Sequence, residues 1–181
     1  MTEVDFGLKE IINGCLKNNR LSQRKLYDRY APSMFAVCRR YANTDAEAED
    51  MLMEGFMKVF KSIDTYKGDS TFTTWIHSVM VNAAISHYRS TRRFRNEVLG
   101  INLDEEESIN EEERITTSID AQKVMELMQR MPETLRIVFN LRAVDDYSFA
   151  EIAKELGTKE ESMRVTFMRA RKWMLEKLGE G

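Results

Sequence analysis

Residues 148–178 read SFAEIAKELGTKEESMRVTFMRARKWMLEKL, and this stretch decides the fold. Ser148 is followed by Glu151, and Thr158 by Glu161. In each pair the hydroxyl can accept the amide three residues on, while the glutamate reaches back to the cap's own amide. Gly157 stands between the pairs, where the first helix must stop and a left-handed residue costs least. The spacing predicts a short helix, a tight turn and a longer helix. Ile152, Ala153 and Leu156 form one apolar stripe; Met163, Phe167, Ala170 and Met174 form another at helical spacing. Ala153 is small where the second helix must cross closely. Arg164, Arg169, Arg171 and Lys172 lie away from the second stripe. A short helix and a basic longer helix across a glycine turn form the helix-turn-helix pattern, whose second helix enters the major groove of DNA. A plain pair of packed helices with a solvated basic face fits the same pattern.

Outward from this stretch the chain reads as helical. Pro132 opens a helix at its first turn, with Leu135, Val138, Phe139 and Leu141 inward. Before it, a helix from about Asp120 turns Val124, Leu127, Met128 and Met131 inward. Residues 96–120 lose the periodicity. They hold nine acids and one base, which predicts a flexible acidic linker. Upstream of the linker, about Phe72 to Arg93 reads as a helix with Trp75, Ile76, Val79, Ala83 and Tyr88 inward, and Arg89, Arg92, Arg93 and Arg95 at its end. A loop over 64–70 precedes it, turned at Gly68, with Ser70 as its cap. A helix from Ala46 to Ile63 buries Met51, Leu52, Phe56 and Val59. Ser22 is expected to cap the helix before that, which runs to Tyr41 and is kinked or divided at Pro32. The first helix covers Asp5 to about Asn18. The layout is all-α: a helical domain over 1–95, an acidic linker over 96–119 and a helical domain over 120–181.

The totals agree with that layout. With 181 residues there is chain for one medium or two small domains. Only 2 Pro and 8 Gly favour helices over a turn-rich β fold. No stretch approaches the roughly 18 apolar residues of a membrane span. The first residues, MTEVDFGLKE, have neither the basic nor the apolar region of a signal peptide. Cys15 and Cys38 fall on apolar stripes and read as buried thiols. His77 and His87 have no companion ligands at metal spacing, so no metal or cofactor is expected. A net charge of −3 looks wrong for a nucleic-acid binder until it is divided: residues 1–95 carry 15 basic and 11 acidic side chains, and the acidity sits in the linker.

Two runs in the first domain narrow the answer. Tyr66-Lys-Gly-Asp-Ser-Thr-Phe-Thr-Thr-Trp75, followed by Asn82 and Arg89, resembles region 2 of the extracytoplasmic-function sigma factors of the sigma-70 family. So does Ala48-Glu-Asp50 followed by Glu54-Gly-Phe56, and the 148–178 stretch resembles their region 4. The resemblance implies a transcription initiation factor without catalytic residues. It would bind core RNA polymerase through the β′ clamp helices and the β flap, bind promoter DNA, act in the cytoplasm and answer to an anti-sigma factor. By position, Asp50, Met53, Glu54 and Lys58 would meet the polymerase. Tyr66, Lys67, Asp69, Ser70, Phe72, Asn82, Arg89, Arg92 and Arg93 would hold the −10 element, where an extruded base needs polar groups for its edge and an apolar wall. Arg164, Val165, Met168 and Arg169 would meet the −35 element, with Arg171 and Lys172 on phosphates. Two other classes compete. A helix-turn-helix regulator would need a ligand pocket or dimer interface in its first half. An enzyme with an attached DNA-binding domain would need a nucleotide loop, metal spacing or nucleophile set, and none is legible.

Overall fold

Eight α-helices and no strand make up the described residues. The computed structural model describes residues 3–99 and 121–179, with side chains over 7–91 and 124–179. Packing divides the chain into two units, Met1–His87 and Tyr88–Gly181.

The first unit contains α1 (Glu3–Leu16), α2 (Arg20–Tyr41), α3 (Asp45–Ser62) with a 3₁₀ turn (Ile63–Thr65), and the first half of α4 (Phe72–Leu99). Leu26, Met34, Cys38, Met51, Phe56 and Val59 are buried with Ile76, Met80 and Ile85. Gly55 lets α3 and α4 approach closely: a Cβ there would stand 2.2 Å from the Met80 sulfur. Asn19, not Ser22, caps α2, its Oδ1 accepting the Ser22 amide at 3.0 Å. Pro32 does not divide the helix, which runs unbroken to Tyr41. Both Pro32 and Asp28, whose carbonyl loses its donor, are exposed, so water can replace the lost bond. The α4 helix runs past Arg93 to Leu99, through residues whose sequence had lost apolar periodicity. Neither Gly nor Pro interrupts it, and the first breaker is Gly100. The rest of the expected linker, 100–119, lies outside the described residues.

The second unit contains α5 (Ala121–Arg130), α6 (Glu133–Phe139), a π-helical turn (Asn140–Val144), α7 (Phe149–Leu156) and α8 (Glu160–Gly179). Its core joins Leu127 and Met128 of α5, and Met131 just beyond its end, to Ala170 and Met174 of α8. Pro132 sits one residue earlier than expected, at the N-cap of α6. At the far end of α6, the Asn140 side-chain amide donates to the Arg136 carbonyl at 3.0 Å, and the Asp145 amide reaches the Asn140 carbonyl at 3.0 Å, the i→i+5 spacing of a π turn.

The helix-turn-helix is built largely as the sequence predicts. Ser148 and Glu151 form the full capping box. Gly157 takes φ +67 at the end of α7, its amide bonding the Ala153 and Lys154 carbonyls. The second helix starts one residue later than the Thr158–Glu161 spacing predicts. The Thr158 amide is spent closing α7 on the Ala153 carbonyl at 2.9 Å, and α8 begins only at Glu160.

Candidate nucleic-acid interface

In the first unit, a loop and an aromatic floor build a hollow. The floor is Phe72, 3% exposed, with Tyr30 at 5.3 Å, Tyr66 edge-on at 5.1 Å and Trp75 at 5.3 Å between ring centroids. Over it the loop is held by its own bonds. The Tyr66 hydroxyl donates to the Ser70 carbonyl at 2.9 Å, and the Lys67 ammonium donates to the Asp64 carbonyl at 3.0 Å. Gly68 turns the chain at φ +85. Thr71, rather than Ser70, caps α4, its hydroxyl accepting the Thr74 amide at 3.2 Å. The result presents Asp69, Ser70, Thr71 and Thr73 around the hollow, with the side chains of the first two exposed. Sequence reasoning missed three contributors from outside the loop, Arg29 and Tyr30 from α2 and Leu8 from α1. Arg29 lies over the Tyr30 ring at 5.7 Å. Its position one residue before a core tyrosine gave no signal, because only the fold brings α2 beside the loop.

From this loop α4 carries an exposed polar line. Ser78, Asn82, Ser86 and Arg89 are exposed and recur at spacings of three and four. Trp75 at its start is half-buried, so part of its surface is open. Arg92 and Arg93 are on the same helix, and their side chains lie outside the described residues. His87 faces α3 instead, its Nε2 3.3 Å from Glu47, whose other oxygen accepts the Asn43 amide at 2.6 Å.

On α3, Asp50, Met53 and Glu54 are exposed and Lys58 is half-buried. Met53 is 56% exposed and Met57, one turn on, 69%. Two exposed methionines at i, i+4 make an apolar stripe flanked by acids. Met57 was legible from that spacing and was missed. A shallow groove between α2 and α3, lined by Tyr27, Pro32, Phe35 and Leu52, reaches Met53.

In the second unit, Arg164 and Lys172 are exposed on α8, while Val165, Met168, Arg169 and Arg171 are half-buried. Arg164, Met168 and Lys172 follow one another at i, i+4 and i+8 on one face. Arg164 pairs with Glu160 and lies over the Phe149 ring at 4.9 Å. The capping-box carboxylate of Glu151 is held below its usual range, first by the Ser148 hydroxyl and then by the Ser148 amide. Burial pushes the Cys38 thiol up to about 12 and raises Cys15 as well, so neither is poised as a nucleophile.

These features define a class: an all-helical, two-unit DNA-binding protein with a helix-turn-helix in its second unit. Comparison with known proteins gives the family. Residues 26–94 match sigma-70 region 2 and residues 121–174 match sigma-70 region 4, together more than half of the chain. The chain therefore belongs to the sigma-70 family, in its extracytoplasmic-function (ECF) group, and is a non-enzymatic transcription initiation factor. It is 26% identical over 164 residues to the ECF RNA polymerase sigma-E factor of Salmonella typhimurium, covering 86% of this chain and 85% of that one. The sigma-E factor of Haemophilus influenzae is 25% identical over 164 residues, covering 84% of this chain and 85% of that one. Among solved structures, the sigma factor RpoE of Bartonella quintana, in complex with the anti-sigma factor NepR, shares the fold at a TM-score of 0.50. It is 19% identical and covers 86% of this chain and 96% of its own. Among the described residues no helix is long and apolar enough to cross a membrane.

Proposed function

We propose that the two units divide promoter recognition between them. The first, with 1–95 as its functional extent, docks on the polymerase and captures an extruded base of the −10 element. The second, 120–181, reads the −35 element in duplex, and 96–119 tethers them. Asp50, Met53, Glu54 and Lys58 form the docking face on α3, extended by Met57. Tyr66, Lys67, Asp69, Ser70 and Phe72 surround the captured base. Asn82, Arg89, Arg92 and Arg93 follow the strand along α4. Arg164, Val165, Met168 and Arg169 meet −35 base edges, and Arg171 and Lys172 meet phosphates. The protein works in the cytoplasm, where polymerase and chromosome are, and its regulator is an anti-sigma factor like the one bound to the Bartonella relative.

The observation that carries this reading is the hollow at 66–73. Exposed carboxylate and hydroxyl groups stand over a pinned aromatic floor, the combination a single unpaired base requires. The phenol of Tyr66 closes the loop on itself, so the hollow is formed before DNA arrives. To test it, Asp69 and Ser70 are replaced by Ala in the reconstituted holoenzyme. Each base-edge contact is worth about 1–3 kcal/mol, so discrimination at one −10 position should fall about tenfold or more while polymerase binding is unchanged. Unaltered base preference would remove the loop from the site.

A further inference from the structure

We propose that Phe149 is a positioning residue for the −35 contact: it holds the Arg164 guanidinium in the orientation that distinguishes one base pair from another. The inference rests on the proposed role of Arg164 as a base reader.

Bidentate recognition of a guanine edge needs a fixed fork of N–H donors. An arginine on an exposed helix face has many rotamers and fixes nothing by itself. Here the plane has a support. The Arg164 guanidinium lies 4.9 Å from the Phe149 ring centre, within cation–π range. The ring is itself held from several sides. Phe167 meets it edge-on at 5.6 Å and stacks in turn on Phe139 at 6.0 Å. Arg142 lies over the same ring at 5.2 Å and donates to the Tyr147 carbonyl at 3.2 Å. Phe149 is also the first residue of α7, inside the capping box of Ser148 and Glu151, whose bonds of 2.8 and 3.2 Å fix its backbone. A line of aromatic contacts thus runs from Phe139 through Phe167 and Phe149 to an exposed cation.

Glu160 acts on the same cation differently. It sits one turn before Arg164 on α8 and accepts a hydrogen bond from Nη2. Both side chains are exposed. A carboxylate there repels the phosphates of any sequence alike, so it weakens binding without choosing a sequence. The two neighbours of Arg164 should therefore give opposite signatures when removed.

The test uses the full chain in holoenzyme with core RNA polymerase, on promoters in which each upstream base pair is varied. Phe149→Leu keeps an apolar side chain and loses the ring face. It should reduce discrimination at the pair Arg164 reads by about two- to fivefold, the size of an exposed cation–π contact. Phe149→Tyr should restore it. In an Arg164→Ala background, Phe149→Leu should have no further effect on discrimination. Glu160→Gln should raise activity on all sequences alike and leave discrimination intact. If Phe149→Leu weakens every sequence equally, its role is structural and the proposal fails. It also fails if Phe149→Leu leaves discrimination unchanged while Arg164→Ala abolishes it, and the base-reading role of Arg164 then survives. Unchanged discrimination in Arg164→Ala itself would overturn both.

Discussion

Lys172 and Arg164 lie on one exposed face of α8, two turns apart, yet their chemistry differs. Arg164 is a planar donor fork laid on a ring, whereas Lys172 is a point charge on a flexible stem. A point charge near DNA neutralises phosphate and releases counterions without regard to sequence. Lys172→Ala should weaken holoenzyme binding to all promoters by the same factor and lower the slope of log affinity against log salt by about one unit. A filter-binding or fluorescence titration across salt concentrations measures this. A change confined to one promoter sequence would reassign Lys172 to a base.

Among the elements, α7 shows most plainly how local chemistry sets a boundary. Ser148 and Glu151 exchange bonds at its start, and Gly157 ends it eight residues on, at a φ that an alanine would resist. Ser148→Ala should cost about 1 kcal/mol of stability, the value of an N-cap. The depressed pKa of Glu151 adds a sign to that loss. A carboxyl lowered in the folded state stabilises above its unfolded pKa, and the contribution disappears as pH falls through the folded value. The difference between wild type and Ser148→Ala should thus be largest near neutral pH and shrink in acid, as followed by denaturant unfolding. A constant difference across pH would mean the cap acts without its carboxylate partner.

The same element explains what was legible in the sequence. Ser148, Glu151 and Gly157 act on neighbours within a turn, so their pattern alone placed the helix. Boundaries failed where a rival partner decided them: the Thr158 amide went to the preceding helix, and Asn19 took the cap expected of Ser22. Lost periodicity does not mark the end of α4, because the apolar pattern stops where the helix does not and no breaker precedes Gly100. The loop at 66–73 was found from its residue types. Arg29, Tyr30 and Leu8 were not, because sequence spacing carries no trace of which surface two distant helices share.

For the whole molecule, charge and division make one expectation. The chain is net −3, and residues 1–95 carry only a small excess of basic side chains, 15 against 11 acidic. Phosphate contacts supply most of non-specific affinity. Two weak readers become selective when the polymerase holds both on one promoter, since the second contact is then made at high effective concentration. The most direct measurement is transcription from a promoter library by core RNA polymerase with and without this protein, beside duplex binding by the free chain at physiological salt. The account predicts that the free chain discriminates little among duplexes. Together with core polymerase it should start transcripts only downstream of paired −35 and −10 elements. Tight, sequence-specific duplex binding by the free chain, with no change in where the polymerase starts, would contradict it.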